Sequence, residues 1–343
     1  RREERAEKKL ERLYSFMIRL RLPGGLLTSQ QWLALHEVTD AHTTGVIKIT
    51  TRQTVQLHGI LKSHIKPTIA AFDKVKLDSI AACGDVNRNV TVSAHQKYSP
   101  VYDEIFSYAD SISSLMLPKT RAYYEIWLDE EKLAEYDETD PLYEDRYLPR
   151  KFKIAIAIPP FNDVDVFTND IGLIAIVEKD KLIGFNVAAG GGLGTTHGNA
   201  DTYPRIGSVL GYVAKDDVLK VVYEIATTQR DYGNRSDRKL SRLKYTMDKM
   251  GVENFKQEVE KRSGIGFQKA KKAEFKYRHD EYGWHKNHEG LWYYTAFVES
   301  GRILDDDNAQ LKTIHYKIRI QEYESTVSSK LIYNENFYLS KRM

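Results

Sequence analysis

The chain has 343 residues, of which 41% are hydrophobic and 29% charged, a balance that suits a soluble globular protein with room for two or three domains and not a disordered chain. No uninterrupted apolar run is long enough to span a bilayer and the charged start lacks the apolar stretch of a signal peptide, so no membrane partner and a cytoplasmic setting are expected. A net charge of +3 is too small to point to nucleic acid, and one cysteine, Cys83, excludes an intrachain disulfide and a thiolate-built zinc or iron–sulfur site held by this chain alone.

Residues 1–12 read as a solvated charged helix. Residues 16–21 alternate as a strand with Arg19 and Arg21 on one face, ended by Pro23-Gly24-Gly25. Thr28 with Gln31 three residues on is a capping-box pattern, which predicts a helix from about 29 to 42. Residues 46–60 read as one extended stretch, and Pro67 opens a helix to about 75. This strand–helix order suits a ferredoxin-like α+β unit. Further on, 100–116 reads as helix, 122–128 and 152–158 as strands, and 172–178 with 182–187 as a hairpin around Lys179-Asp180-Lys181. A glycine-rich loop follows at 190–194, then helices at about 216–229, 237–249 and 252–262, then aromatic-rich strands within 283–304. There is no short-period repeat.

The stretch 46–58 is the most informative. If extended, it sets Lys48, Thr50, Arg52, Thr54, Gln56 and His58 on one face and Ile47, Ile49, Val55 and Leu57 on the other. For any single strand, a half-buried strand with a solvated polar face is the commoner origin of such a pattern. Other short basic clusters stand near strand ends: Arg19 with Arg21, Arg88 between Asn87 and Asn89, and Arg150-Lys151-Phe152-Lys153. Their convergence on a polyanion is an expectation about space. His279, His285 and His288 read as surface histidines, Asp163, Asp165 and Asp170 as a solvated turn, and Cys83 as a small buried residue. The loop at 190–194 does not match the dinucleotide fingerprint.

Several motifs stand in one order: Arg19-Leu20-Arg21-Leu22-Pro23-Gly24-Gly25, Thr51-Arg52-Gln53-Thr54, Asp85-Val86-Asn87-Arg88-Asn89-Val90, Thr120-Arg121-Ala122-Tyr123, Leu148-Pro149-Arg150-Lys151-Phe152-Lys153, Gly190-Gly191-Gly192-Leu193 and Thr228-Gln229-Arg230-Asp231-Tyr232-Gly233-Asn234-Arg235. Together they resemble the nitrite/sulfite reductase family over roughly residues 1–312. The resemblance implies a siroheme enzyme with a 4Fe-4S cluster that reduces sulfite to sulfide in sulfur assimilation, with electrons from NADPH through a flavoprotein partner. It implies that Arg19, Arg88, Lys151 and Lys153 surround the anion. It further implies that Lys48, Thr50, Arg52, Thr54, Gln56, His58, Arg150, Gly191, Gly192, Gln229, Arg230, Asn234 and Arg235 contact siroheme. The resemblance also implies, through Lys153, sulfite over nitrite as the substrate. Nitrite reductase, and a non-catalytic anion- or RNA-binding module, stay open as alternatives.

The expected architecture is α+β: a charged helix at 1–12, a ferredoxin-like half-domain at 13–85, a siroheme- and sulfite-binding domain at 86–270, the start of a second ferredoxin-like half-domain at 275–312, and a divergent tail at 313–343. The family's four cluster cysteines are absent from this sequence. From that departure the chain is expected to be a fragment that alone does not reduce sulfite.

Overall fold

A computed structural model describes residues 2–9, 14–94, 101–119, 124–128, 131–136, 139–286, 290, 292–305, 328–332 and 336–341. In chain order the elements are α1 (Arg2–Glu7), β1 (Ser15–Arg19), β2 (Leu26–Thr28), α2 (Ser29–His42), β3 (Ile47–Thr50), β4 (Thr54–Leu61), α3 (Lys62–Lys74), β5 (Thr91–Val92), α4 (Tyr102–Leu115), β6 (Tyr124–Leu128), β7 (Glu131–Tyr136) and β8 (Ile154–Ala157). Then come β9 (Ile171–Glu178), β10 (Lys181–Ala189), β11 (Ser208–Ala214), α5 (Val218–Tyr232), α6 (Leu243–Met250), α7 (Val252–Ser263), β12 (Gly283–Lys286), β13 (Trp292–Phe297), β14 (Arg302–Ile303), β15 (Ser328–Ile332) and β16 (Asn336–Lys341). The fold is α+β, as expected. Among the described residues no helix is long and apolar enough to cross a membrane.

Among the described residues, three larger sheets and a separate antiparallel β6-β7 pair organise the chain. The first, β1-β4-β3-β14, is antiparallel. Its apolar face, with Ile47, Ile49, Val55 and Leu57, packs on Trp32, Leu35 and Val38 of α2 and Phe72 of α3. The second runs β11-β10-β9-β8-β5, antiparallel at its β11 end and parallel through β9-β8-β5. Every residue of β8 is buried, because helices α4 to α7 cover one face and Val164 and Val166 pack on Ala155, Ala157 and Ile174 at the other. Parallel strands covered on both faces read as continuous apolar runs. The third sheet, β12-β13-β16-β15-β2, joins strands from the two ends of the chain.

Local chemistry explains what the sequence foretold. The capping box forms as predicted: Gln31 N–H donates to Thr28 Oγ1 at 3.2 Å and Thr28 N–H to Gln31 Oε1 at 3.0 Å. Lys179 and Asp180 both take positive φ, the pair of conformations a two-residue hairpin turn needs. Five expectations are corrected. Residues 46–60 are not one strand but a hairpin, turning at Thr51-Arg52-Gln53. The helix expected from Pro67 starts five residues earlier, at Lys62. Arg21 leaves the strand and pairs with Asp78 at 2.7 Å, away from Arg19. Asp163 and Asp170 are buried, not solvated, and Cys83 is exposed, not buried. The motif at 120–123 lies outside the described residues.

Candidate anion and macrocycle site

The hairpin keeps Lys48, Gln56 and His58 on one side, a part of the donor face that a single strand would have made. Lys48 pairs with Gln56 and Thr50 with Thr54, so even-numbered residues still share a side across the turn. Arg19 pairs with Gln56 from the other flank. Only one orientation of the Gln56 amide satisfies both its neighbours. Its oxygen then accepts from Arg19 Nη2 and, at 3.0 Å, from Arg19 Nε, while its nitrogen donates to His58 Nε2 at 3.1 Å. An accepting Nε2 places the His58 proton on Nδ1. Partial burial, then Lys48 and Arg19, hold the His58 pKa below its ordinary value and favour this neutral ring.

Arg19 and Arg88 converge. Arg19 Nη1 donates to the Ala82 carbonyl at 3.2 Å and to Cys83 Sγ at 3.0 Å. Arg88 Nη1 donates to the same Ala82 carbonyl at 3.3 Å, and its Nε to Gly84 at 3.0 Å. Burial is the first cause of a lowered Arg88 pKa, and Arg19 and Arg150 push the same way. Lys151 is lowered by burial, then by Arg150, Arg242 and Arg88. Lys153 falls to about 8, through burial and then Arg52 and Arg242. These mutual effects tie Arg19, Arg88, Arg150, Lys151 and Lys153 into one cationic cluster. Its nearby acids are Asp85, 3.6 Å from Arg150, and Asp170, which Arg242 engages at 2.8 Å and 3.1 Å.

Other predicted contacts turn inward. Thr54 is buried, and its hydroxyl donates to the Leu20 carbonyl. Thr50 Oγ1 accepts from the Arg52 amide within the turn. Arg52 donates to Asn169 Oδ1 at 2.7 Å, the Asn89 carbonyl at 2.5 Å and the Ile154 carbonyl at 2.8 Å, latching the hairpin tip to the second sheet. Gln229 is buried and donates to the Ser241 carbonyl. Arg230 is 7% exposed and pairs with Glu144 at 2.8 Å and Asp231 at 2.7 Å. Asn234 caps the Ser236 and Asp237 amides, and Arg235 donates to the Tyr147 and Arg230 carbonyls. Gly191 is needed for internal packing: an added Cβ would stand 2.1 Å from the Phe167 carbonyl oxygen. Gly192 stands beside Arg242 and Lys244.

Two residues of the cluster gave no sequence signal. Arg242 reaches Asp170 across 72 positions, and Asp170 also accepts from the Lys153 amide at 2.9 Å. Buried Lys244 donates to the carbonyls of Gly192, Gly194 and Tyr203, pinning the glycine-rich loop. No local pattern marks such long-range partners.

Crowded cations with few acids between them suit a ligand that brings several negative charges. The donor set therefore fits a carboxylate-bearing macrocycle such as siroheme. It does not fit an iron–sulfur cluster, because one cysteine is present in the sequence and a cluster needs several thiolates.

The family described as nitrite and sulphite reductase 4Fe-4S domain matches residues 107–267, and the nitrite/sulfite reductase ferredoxin-like half domain matches residues 9–75. The sulfite reductase [NADPH] hemoprotein beta-component of Leptospira biflexa is 64% identical over 341 residues, covering 98% of this chain and 61% of that protein. The protein of the same name from Bacillus subtilis is 49% identical over 314 residues, covering 91% of this chain and 55% of that protein. The chain thus spans about three-fifths of the length of these relatives. The Leptospira match runs past Lys312, which corrects the expectation that likeness stops there. The solved structure of Mycobacterium tuberculosis NirA shares the fold, with a TM-score of 0.74 at 23% identity, over 95% of this chain and 53% of that one. On these matches the chain belongs to the nitrite/sulfite reductase family.

Proposed function

We propose that this chain supplies the anion- and siroheme-binding part of an assimilatory sulfite reductase hemoprotein, the activity that converts sulfite to sulfide. The observation that carries the reading is the meeting of Arg19 and Arg88 on the Ala82 carbonyl beside Lys151 and Lys153. The names of the curated relatives support it. Arg19 and Arg88 offer planar forks to an oxyanion, and Lys151 and Lys153 offer point charges and protons. Siroheme, when bound, supplies the iron at which the anion is held and reduced. Lys48, Gln56, His58 and Arg150 are the residues placed to hold its carboxylates, and Arg52 acts by fixing the hairpin that presents them.

Reduction of sulfite consumes protons, and Lys153, with its pKa near 8, both holds one at neutral pH and gives it up readily. Electron delivery through an iron–sulfur cluster would need more thiolates than the one cysteine of this chain provides. NADPH, acting through a flavoprotein partner in a cytoplasmic setting, is our reading of the electron source. Titration of the full chain with siroheme, followed by absorbance, is expected to saturate at one equivalent. Sulfite is then expected to shift the bands in the wild type and less in Arg88→Gln and Lys151→Gln. Absence of saturable siroheme binding would overturn the reading.

A further inference from the structure

Strand pairing in the first sheet sets a row of side chains across it. Arg19 stands opposite Gln56, Gln56 opposite Lys48, and Lys48 opposite Arg302 of β14. Residues paired directly project to the same face. Arg302, from a segment 254 positions beyond Lys48, therefore joins the face that bears Arg19, Lys48 and His58. The row covers three interstrand spacings, ~14 Å. At its β14 end lies a cavity of about 370 Å³ lined by Thr44, Val46, Lys48, His58, Arg302 and Leu304.

None of these lining residues is acidic, and among the described residues no ion pair engages Lys48 or Arg302. Like charges directly opposite each other destabilise a strand pair. An ammonium facing a guanidinium at a cavity mouth is therefore an arrangement that an anion would relieve. The cavity is too far along the row for one small oxyanion to touch both Arg302 and Arg19. A large ligand with carboxylates on more than one side reaches both.

We propose that Arg302, with Lys48 and His58, forms a pocket for one peripheral carboxylate of the macrocycle. This rests on the siroheme reading above. Arg302 contributes the planar fork that Lys48 lacks, and a fork suits two carboxylate oxygens. Neutral His58 contributes an N–H donor without adding to the cation crowding.

The test titrates the full chain and its Arg302→Gln and Arg302→Lys variants with siroheme by absorbance. Sulfite and inorganic phosphate are titrated in parallel by their effect on melting temperature. Arg302 is exposed, so both variants are expected to keep the wild-type circular dichroism without ligand, with a melting temperature no lower than the wild type's and slightly raised in Arg302→Gln as the facing charge is removed. Arg302→Gln should weaken siroheme about tenfold or more, the scale of one charge-assisted hydrogen-bonding group. Arg302→Lys should recover part of the loss, with the responses to sulfite and phosphate unchanged in both. If the wild type binds siroheme and Arg302→Gln binds it equally well, the pocket is refuted while the siroheme reading stands. If Arg302→Gln instead loses its response to sulfite or phosphate, the cavity holds a free anion and the carboxylate assignment fails. A wild-type chain that binds no siroheme ends both.

Discussion

Lys153 carries the sharpest consequence at the scale of single residues. Burial is the first cause of its lowered pKa of about 8, followed by Arg52 and Arg242. The unfolded chain keeps the ordinary lysine value, so between about pH 8 and 10.5 it binds a proton that the folded chain does not. Stability therefore rises with pH across that window. Below it, the charged Lys153 lowers stability by up to about 3 kcal/mol. Lys153→Met should accordingly be the more stable protein at pH 7, and its advantage should shrink by pH 10. Urea midpoints of both proteins at the two pH values measure this, and an advantage that grows with pH would contradict it. Anion binding follows the opposite sign. Above pH 8 the free chain must take up a proton at Lys153 to bind, so sulfite affinity should fall as pH rises, and less so in the variant. Asp170 sits beneath this lysine, with no exposure and with Arg242 and the Lys153 amide upon it. Asp170→Asn removes a fully buried carboxylate from a largely covered Arg242 guanidinium and should destabilise by about 3 kcal/mol, the lower end for breaking a buried pair.

The β3–β4 hairpin decides how the donor face is presented, and its tip is an anchor, not a solvent loop. Gln53 takes a φ of +52° and is fully buried. Its amide donates to the Val92 carbonyl at 2.7 Å and accepts from the Val92 N–H at 2.9 Å, a side chain standing in for a strand partner of β5. Asn89 does the reverse, holding the Leu22, Arg52 and Gln53 backbones. Gln53→Ala would strand a buried donor and acceptor on Val92, at about 1–3 kcal/mol for each group left unsatisfied. Equilibrium denaturation should show a loss of about 2–6 kcal/mol for the two groups together, and a change under ~0.5 kcal/mol would mean that water replaces the amide. This element also shows what the sequence could reveal. The shared face of Lys48, Gln56 and His58 was legible because parity survives a turn whose register pairs even with even. The turn itself was not, since Thr51-Arg52-Gln53 holds no glycine or asparagine and the left-handed residue is held by contacts 39 positions away. The same blindness made Arg52 and Arg230 look like free cations, when the folded chain engages both with its own carbonyls and carboxylates.

For the whole molecule, a net charge of +3 hides a local excess. In the proposed site, segments around residues 19, 48, 88, 151, 242 and 302 bring their cations together, while many of the compensating acids pair elsewhere, as in Arg262 with Asp231 and Glu258. Cations that lower each other's proton affinity also repel each other, and that repulsion persists in the folded chain while no anion is bound. Salt screens such charges over about 10 Å at 0.1 M and about 3 Å at 1 M. Raising sodium chloride should therefore do two opposite things. It should stabilise the ligand-free chain, because the crowding is relieved, and it should weaken siroheme and sulfite binding, because the attraction that gathers them is screened as well. Melting curves and siroheme titrations over the same salt series read both slopes from one protein. A ligand-free melting temperature that falls with salt would mean that the cations are neutralised within the fold, and the cluster would then lose its claim to be a site.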